Sequence, residues 1–107
     1  MIDGKANIYF NDILVGVLTK EKGKYYFRYT EDYLLNENNP PISLTLPKQK
    51  EPFVSDFLFP FFYGLLAEGT NKELQCRILK IDENDHFTRL IKTGGYDTIG
   101  GITVVAV

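Results

Sequence analysis

The stretch Asp82-Glu83-Asn84-Asp85-His86 gathers three carboxylates and the one histidine of the sequence, the side chains that could hold a divalent cation or move a proton. A metal site needs several ligands converging on one point, and no second histidine or neighbouring cysteine completes such a shell. Successive residues at a helix start also point in different directions. The stretch therefore reads as an acidic helix N-terminus, where carboxylates accept amide hydrogen bonds and meet the positive end of the helix dipole. As a general base, His86 lacks a nucleophile spaced near it, and Glu68 or Asp97 lacks a paired carboxylate. Cys76, the one cysteine, has no companion motif and reads as a buried structural thiol.

A second candidate is the glycine-rich run from Thr93 to Gly101, TGGYDTIGG. Phosphate-cradling loops leave a strand and enter a helix, ending in Gly-Lys-Ser/Thr. Here the order is reversed, so these glycines read as a helix stop followed by a turn. No self-contained catalytic site emerges. The expectation is a protein that is not an enzyme and needs no metal or cofactor.

The elements that would carry these residues fit one domain over residues 1–107. Twelve basic against fourteen acidic side chains give a net charge of −2. That argues against direct nucleic-acid binding beyond a local basic patch. The basic residues of the two helices after Gly69 are too diluted for a DNA-reading helix pair. The N-terminus lacks a basic start followed by an apolar run, so no signal peptide is expected and the cytoplasm is the simplest location. FLFPFFY, Phe57–Tyr63, packs four phenylalanines and a tyrosine into seven residues. Its apolar run stops at Glu68, well short of the roughly 20 residues needed to span a bilayer.

Ala6–Phe10, Ile13–Lys20 and the KYYFRY segment read as a three-stranded meander, with Asn11-Asp12 and Gly23 at its turns. Tyr25, Phe27 and Tyr29 share one face of the third strand. A short helical turn over EDYLL ends before Pro40-Pro41. ISLTLP alternates as a strand would, with Ile42, Leu44 and Leu46 inward. Leu58, Phe61, Phe62, Leu65 and Leu66 form a helical stripe that starts near Leu58 and stops at Gly69. A second helix, Asn71–Lys80, is expected to turn Leu74, Ile78 and Ile81 inward. A third covers Asp85–Lys92, and the apolar TIGGITVVAV reads as a central or well-covered strand. Together these elements predict an α+β fold: a small antiparallel sheet, open or barrel-like, with about three helices packed against it.

PISLTLP, FLFPFFYGLLAEG and GGYDTIGGITVVAV, taken in order, resemble the N-terminal subdomain of HipA-type serine/threonine kinases, the toxins of bacterial toxin–antitoxin modules. The family's Pro-Leu-Ser-Leu-Ser-Leu-Pro segment is matched at Pro41–Pro47. Its Phe-Phe-x-Asn/Gly-Leu-Leu-Pro-Glu-Gly segment is matched at Phe61–Gly69, and its closing strand loosely at Tyr96–Val104. Nucleotide-binding and catalytic loops of the kinase have no counterpart among these 107 residues. The chain is similar to the free-standing form of this subdomain, HipS, the small antitoxin of tripartite HipBST modules. That resemblance implies a HipT-like kinase partner, a HipB-like DNA-binding protein in a ternary complex, and no membrane. It also implies a kinase-facing surface at Phe57, Phe59, Tyr63, Ala67, Glu68, Gly69, Thr70 and Asn71. Thr70 stands where family members often carry a tryptophan, and Ala67 where proline is usual.

Overall fold

The computed structural model describes residues 4–66, 69–93 and 101–107, with positions 69–71, 75 and 93 described by their backbone. Two hairpins build the middle of the sheet. β1 (Gly4–Phe10) turns into β2 (Ile13–Glu21) through Asn11 and Asp12, at φ 49° and 69°. β2 turns into β3 (Lys24–Tyr29) through Lys22 and Gly23, at φ 51° and 79°. Two successive positive φ values produce the tight turn whose twist matches the flanking strands, and Asn, Asp and Gly adopt them most readily.

β4 (Phe53–Ser55) pairs with β3, and β5 (Ile102–Ala106) pairs with β1. All pairings are antiparallel, in the order β4-β3-β2-β1-β5. The fold is α+β, and the strand order is linear, with β4 and β5 at opposite ends and no pairing between them among the described residues. Ile8 pairs with Gly16 but Tyr9 with Leu14, so Val15 is an extra residue in β2. Gly16 stands beside this bulge because a Cβ there would collide with the Arg28 carbonyl oxygen and lie 3.0 Å from the Phe27 ring. The Val15 carbonyl accepts the Thr30 amide at 2.9 Å. Thr30 in turn caps α1 (Glu31–Leu35) by accepting the Tyr33 amide at 3.3 Å. The sheet's irregularity thus anchors the first helix.

Strand alternation gives one buried sheet face: Ala6 and Ile8, Leu18 and Lys20, Tyr25, Phe27 and Tyr29, Ile102 and Val104. α2 (Pro60–Tyr63) and α4 (His86–Thr93) pack on it with Phe62, Phe87 and Leu90. Leu46, Leu58, Phe59 and Leu66 close the core from the connections. Among the described residues no helix is long and apolar enough to cross a membrane.

Five local expectations are corrected. Residues 42–46 form a turn closed by a single bridge between Ser43 and Leu46, with Leu44 outward; period-two alternation fits such a turn as well as a strand. The helix expected from Leu58 to Gly69 is four residues long. Past Gly64, the amides of Leu65 and Leu66 bond three residues back, so tight turns instead of one stripe bring most of its apolar residues to the core. Gly69 opens α3 (Gly69–Leu79) instead of stopping a helix. That helix is rotated from expectation: Cys76 is buried, while Leu74 and Ile78 are 51% and 67% exposed. Each lies two positions from Cys76, about 200° around the helix, so burying the cysteine turns both outward. Finally, β5 is an edge strand with Val105 outward, although Ile102 and Val104 are buried.

α3 ends with Lys80 at φ 57° while the Ile81 amide bonds to the Cys76 carbonyl at 2.9 Å. This is the left-handed helix stop usually built with glycine, here with lysine in the strained position.

Candidate functional site

The aromatic stretch divides between core and surface because α2 is so short. The Phe57 amide donates to Ser55 Oγ at 3.1 Å just after β4, and the Phe57 ring is 79% exposed. Phe59 sits at the N-cap of α2 with Pro60 in the first turn, where a missing N–H costs least. Its ring is 7% exposed and edge-on to Phe62, centroids 6.3 Å apart. Tyr63, the last residue of α2, is 39% exposed and stands edge-on to His86 at 5.0 Å.

Phe57 and Tyr63 border a hollow of about 360 Å³ whose other walls include Lys20, Tyr25, Asp56 and His86. Lys20 is buried although charged. It lies on the core face of β2 opposite Tyr25, its ammonium 5.4 Å from that ring's centroid. On the rim, Asp56 pairs with Lys24 at 3.6 Å, an exposed contact that contributes little.

His86 is fixed by Arg89, whose Nη1 lies 3.2 Å from His86 Nδ1. A guanidinium only donates, so Nδ1 is the acceptor and the proton of the neutral ring resides on Nε2. Burial, then the charges of Arg89 and Lys72 and more weakly Lys20, push the imidazole below its ordinary pKa; the Asp85 carboxylate opposes them. The carboxylates beside it serve the backbone. Asp85 accepts the Thr88 amide at 3.1 Å and the Thr88 hydroxyl at 2.8 Å, and Asp82 accepts the Asn84 amide at 2.9 Å. Among the described residues no three His, Cys, Asp or Glu side chains gather to hold a metal.

Of the residues expected to face a partner, the structure brings Phe57 and Tyr63 together at the hollow and places Phe59 in the core. Ala67 and Glu68 lie outside the described residues. Gly69, Thr70 and Asn71 form the first turn of α3. Asp97 and the glycines at 94, 95 and 100 also lie outside the described residues, while Gly101, at φ 81°, forms a turn and accepts the Asn11 amide at 3.0 Å. Sequence reasoning missed Lys20 and His86 as walls of the hollow. The signal for Lys20 was its strand position, two residues after the inward Leu18. An exposed phenylalanine and tyrosine beside a buried cation and a neutral imidazole suit contact with an apolar or aromatic side chain.

Comparison with known proteins adds to this geometry. The family model described as HipA N-terminal domain matches residues 6–105. An uncharacterized protein of Haemophilus influenzae is 33% identical over 101 residues, which make up 94% of this chain and 89% of that protein. A putative kinase of Sinorhizobium fredii is 33% identical over 100 residues, 92% of this chain but 24% of the kinase. The chain thus spans about a quarter of that relative's length. A solved structure described as the N-terminal domain of HipA toxin superposes on all of this chain and 94% of its own length, with a TM-score of 0.74 and 27% identity.

Proposed function

This chain belongs to the HipA N-terminal domain family, and we propose on that premise that it is a non-catalytic antitoxin subunit, similar to HipS, that binds and inhibits a HipT-like serine/threonine kinase in a bacterial toxin–antitoxin module. Residues 1–107 act in this reading as one cytoplasmic domain, joined in a ternary complex with a HipB-like DNA-binding protein. The observation that carries the reading is that a 33%-identical relative holds this fold as 24% of a putative kinase chain. A kinase made without that quarter would present a complementary face, and this domain would dock there. Phe57, Tyr63 and the segment from Ala67 to Asn71 are the proposed contact, with Glu68, Gly69 and Thr70 reaching toward the kinase active site. Phe59 supports that surface from beneath.

A second reading rests on Thr70, which stands where family members often carry a tryptophan, and on Ala67 in place of proline. Without a bulky plug, the subunit would bridge the kinase and the DNA-binding protein and leave phosphorylation running. Co-expression with a HipT-like kinase, followed by binding and kinase assays on one purified sample, separates the two. Binding with lost activity supports the antitoxin, and binding with full activity supports the bridge. A folded protein that does not bind removes both.

A further inference from the structure

The turn from Ser43 to Leu46 is held by more bonds than a four-residue surface loop requires. The Tyr29 hydroxyl, buried on β3, accepts the Ile42 amide at 3.1 Å and donates to the Leu46 carbonyl, so one side chain pins both ends. Within the turn, the Leu46 amide bonds to the Ser43 carbonyl at 3.1 Å. Ser43 Oγ accepts the Thr45 amide at 3.2 Å and lies 2.9 Å from the Thr45 hydroxyl. Behind it, Tyr33 stacks on Tyr29 and donates to the Pro40 carbonyl. Lys48 Nζ ties down the Asn36 and Asn39 carbonyls at 3.0 and 2.9 Å. Pro40, Pro41 and Pro47 restrict the flanks.

At the tip of this frame Leu44 is 98% exposed. Every bond that holds the turn comes from the backbone or from other side chains, so the leucine side chain adds nothing to the fold. Turn tips are usually filled by Gly, Asn, Asp or Ser. An apolar side chain on a fixed turn is presented for burial elsewhere, because the cost of ordering the backbone beneath it is already met in the free protein.

We propose that Leu44 is a docking knob that inserts into an apolar socket on the kinase. This rests on the kinase-binding reading above and names a contact separate from the Phe57 surface. The occupant is the kinase because the Sinorhizobium fredii relative, a putative kinase, carries this fold within a chain about four times as long. There an outward apolar residue on a fixed turn has the rest of that chain to meet. Pro41 to Pro47 carries no charge. The socket is therefore a leucine-sized apolar pocket whose rim offers hydrogen-bond partners to Ser43 and Thr45.

Leu44→Ser and Leu44→Met, made in the full chain, test this against a HipT-like kinase, with melting temperature and light scattering measured on each variant. Leu44→Ser should weaken binding by about tenfold or more while melting with the wild type, and Leu44→Met should stay within about threefold. Wild-type affinity in Leu44→Ser overturns the knob and leaves the kinase reading intact. A markedly lower melting temperature shows that the leucine supports the fold and overturns it too. Loss of self-association without loss of kinase binding assigns the knob to a second copy and overturns it as well. Failure of the folded wild type to bind removes both the knob and the kinase reading.

Discussion

Phe57 and Phe59 are two residues apart in one aromatic stretch, yet the structure places one at the surface and the other in the core, and alanine substitution separates them. Phe59 is 7% exposed and packed on Phe62. Truncating it removes a core ring, at a cost of about 3–5 kcal/mol. In a domain of this size that lowers the melting temperature by roughly 10 °C or more. Phe57 is 79% exposed, so Phe57→Ala should change stability by less than ~0.5 kcal/mol. In a complex the same ring has most of its surface left to bury. With ~1.5–3 kcal/mol for a fully buried phenylalanine, that exposure leaves about 1–2.5 kcal/mol for binding, or roughly 5- to 60-fold in Kd. Thermal melts followed by calorimetric titration with the kinase read both quantities on one preparation. If Phe57→Ala melts as low as Phe59→Ala, the ring is structural and the division of the stretch is wrong. If it binds the kinase as tightly as wild type, the hollow is not the contact.

Tyr29→Phe leaves the Ile42 amide and Leu46 carbonyl without their partner and should cost about 1–3 kcal/mol in urea unfolding. Burial raises the Tyr29 phenol, against the Ile42 amide and with a smaller push from Tyr33. Its stabilising contribution is therefore intact below pH ~10 and lost as pH climbs through the folded value, and Tyr29→Phe should flatten that alkaline limb. The His86 pKa is lowered, chiefly by burial. Its contribution is complete above pH ~6.5 and lost as pH falls through the folded value, and urea midpoints of His86→Gln should show a shallower acid limb. Lys80→Gly relieves the left-handed strain at the end of α3 and should stabilise the protein by about 0.5–1 kcal/mol, read as a higher urea midpoint with unchanged slope.

The hairpins were legible because their turns carry local chemistry: Asn11-Asp12 and Lys22-Gly23 take positive φ, and the strands between them alternate cleanly. The core residues of the aromatic stretch were legible too, since Leu58, Phe62 and Leu66 are buried whether the chain runs as one helix or as several turns. What the pattern could not decide was direction. Leu44 obeys the same alternation as its inward neighbours but tips a turn, because Tyr29 closes the segment from a distant strand. In α3 both sides carry apolar residues, Leu74 and Ile78 against Cys76 and Leu79, so periodicity gave no preferred rotation. The apolar run of β5 suggested a covered centre, yet its place at the edge follows from a long-range pairing with β1. The site was half legible for the same reason. Phe57 and Tyr63 stood out by type, whereas Lys20 and His86 join them only through the sheet register and the packing of α4.

Among the described side chains of α3, Cys76 alone is fully buried. Among those side chains, lifting this helix from the body would uncover mainly one small sulfur-bearing group and leave the buried aromatic residues in place. Its opening free energy should therefore fall well below that of global unfolding. The thiol is then a built-in clock. A cysteine-reactive dye would label it at a rate set by helix lifting, nearly independent of urea at low concentrations, and a partner that grips the first turn of α3 would slow it.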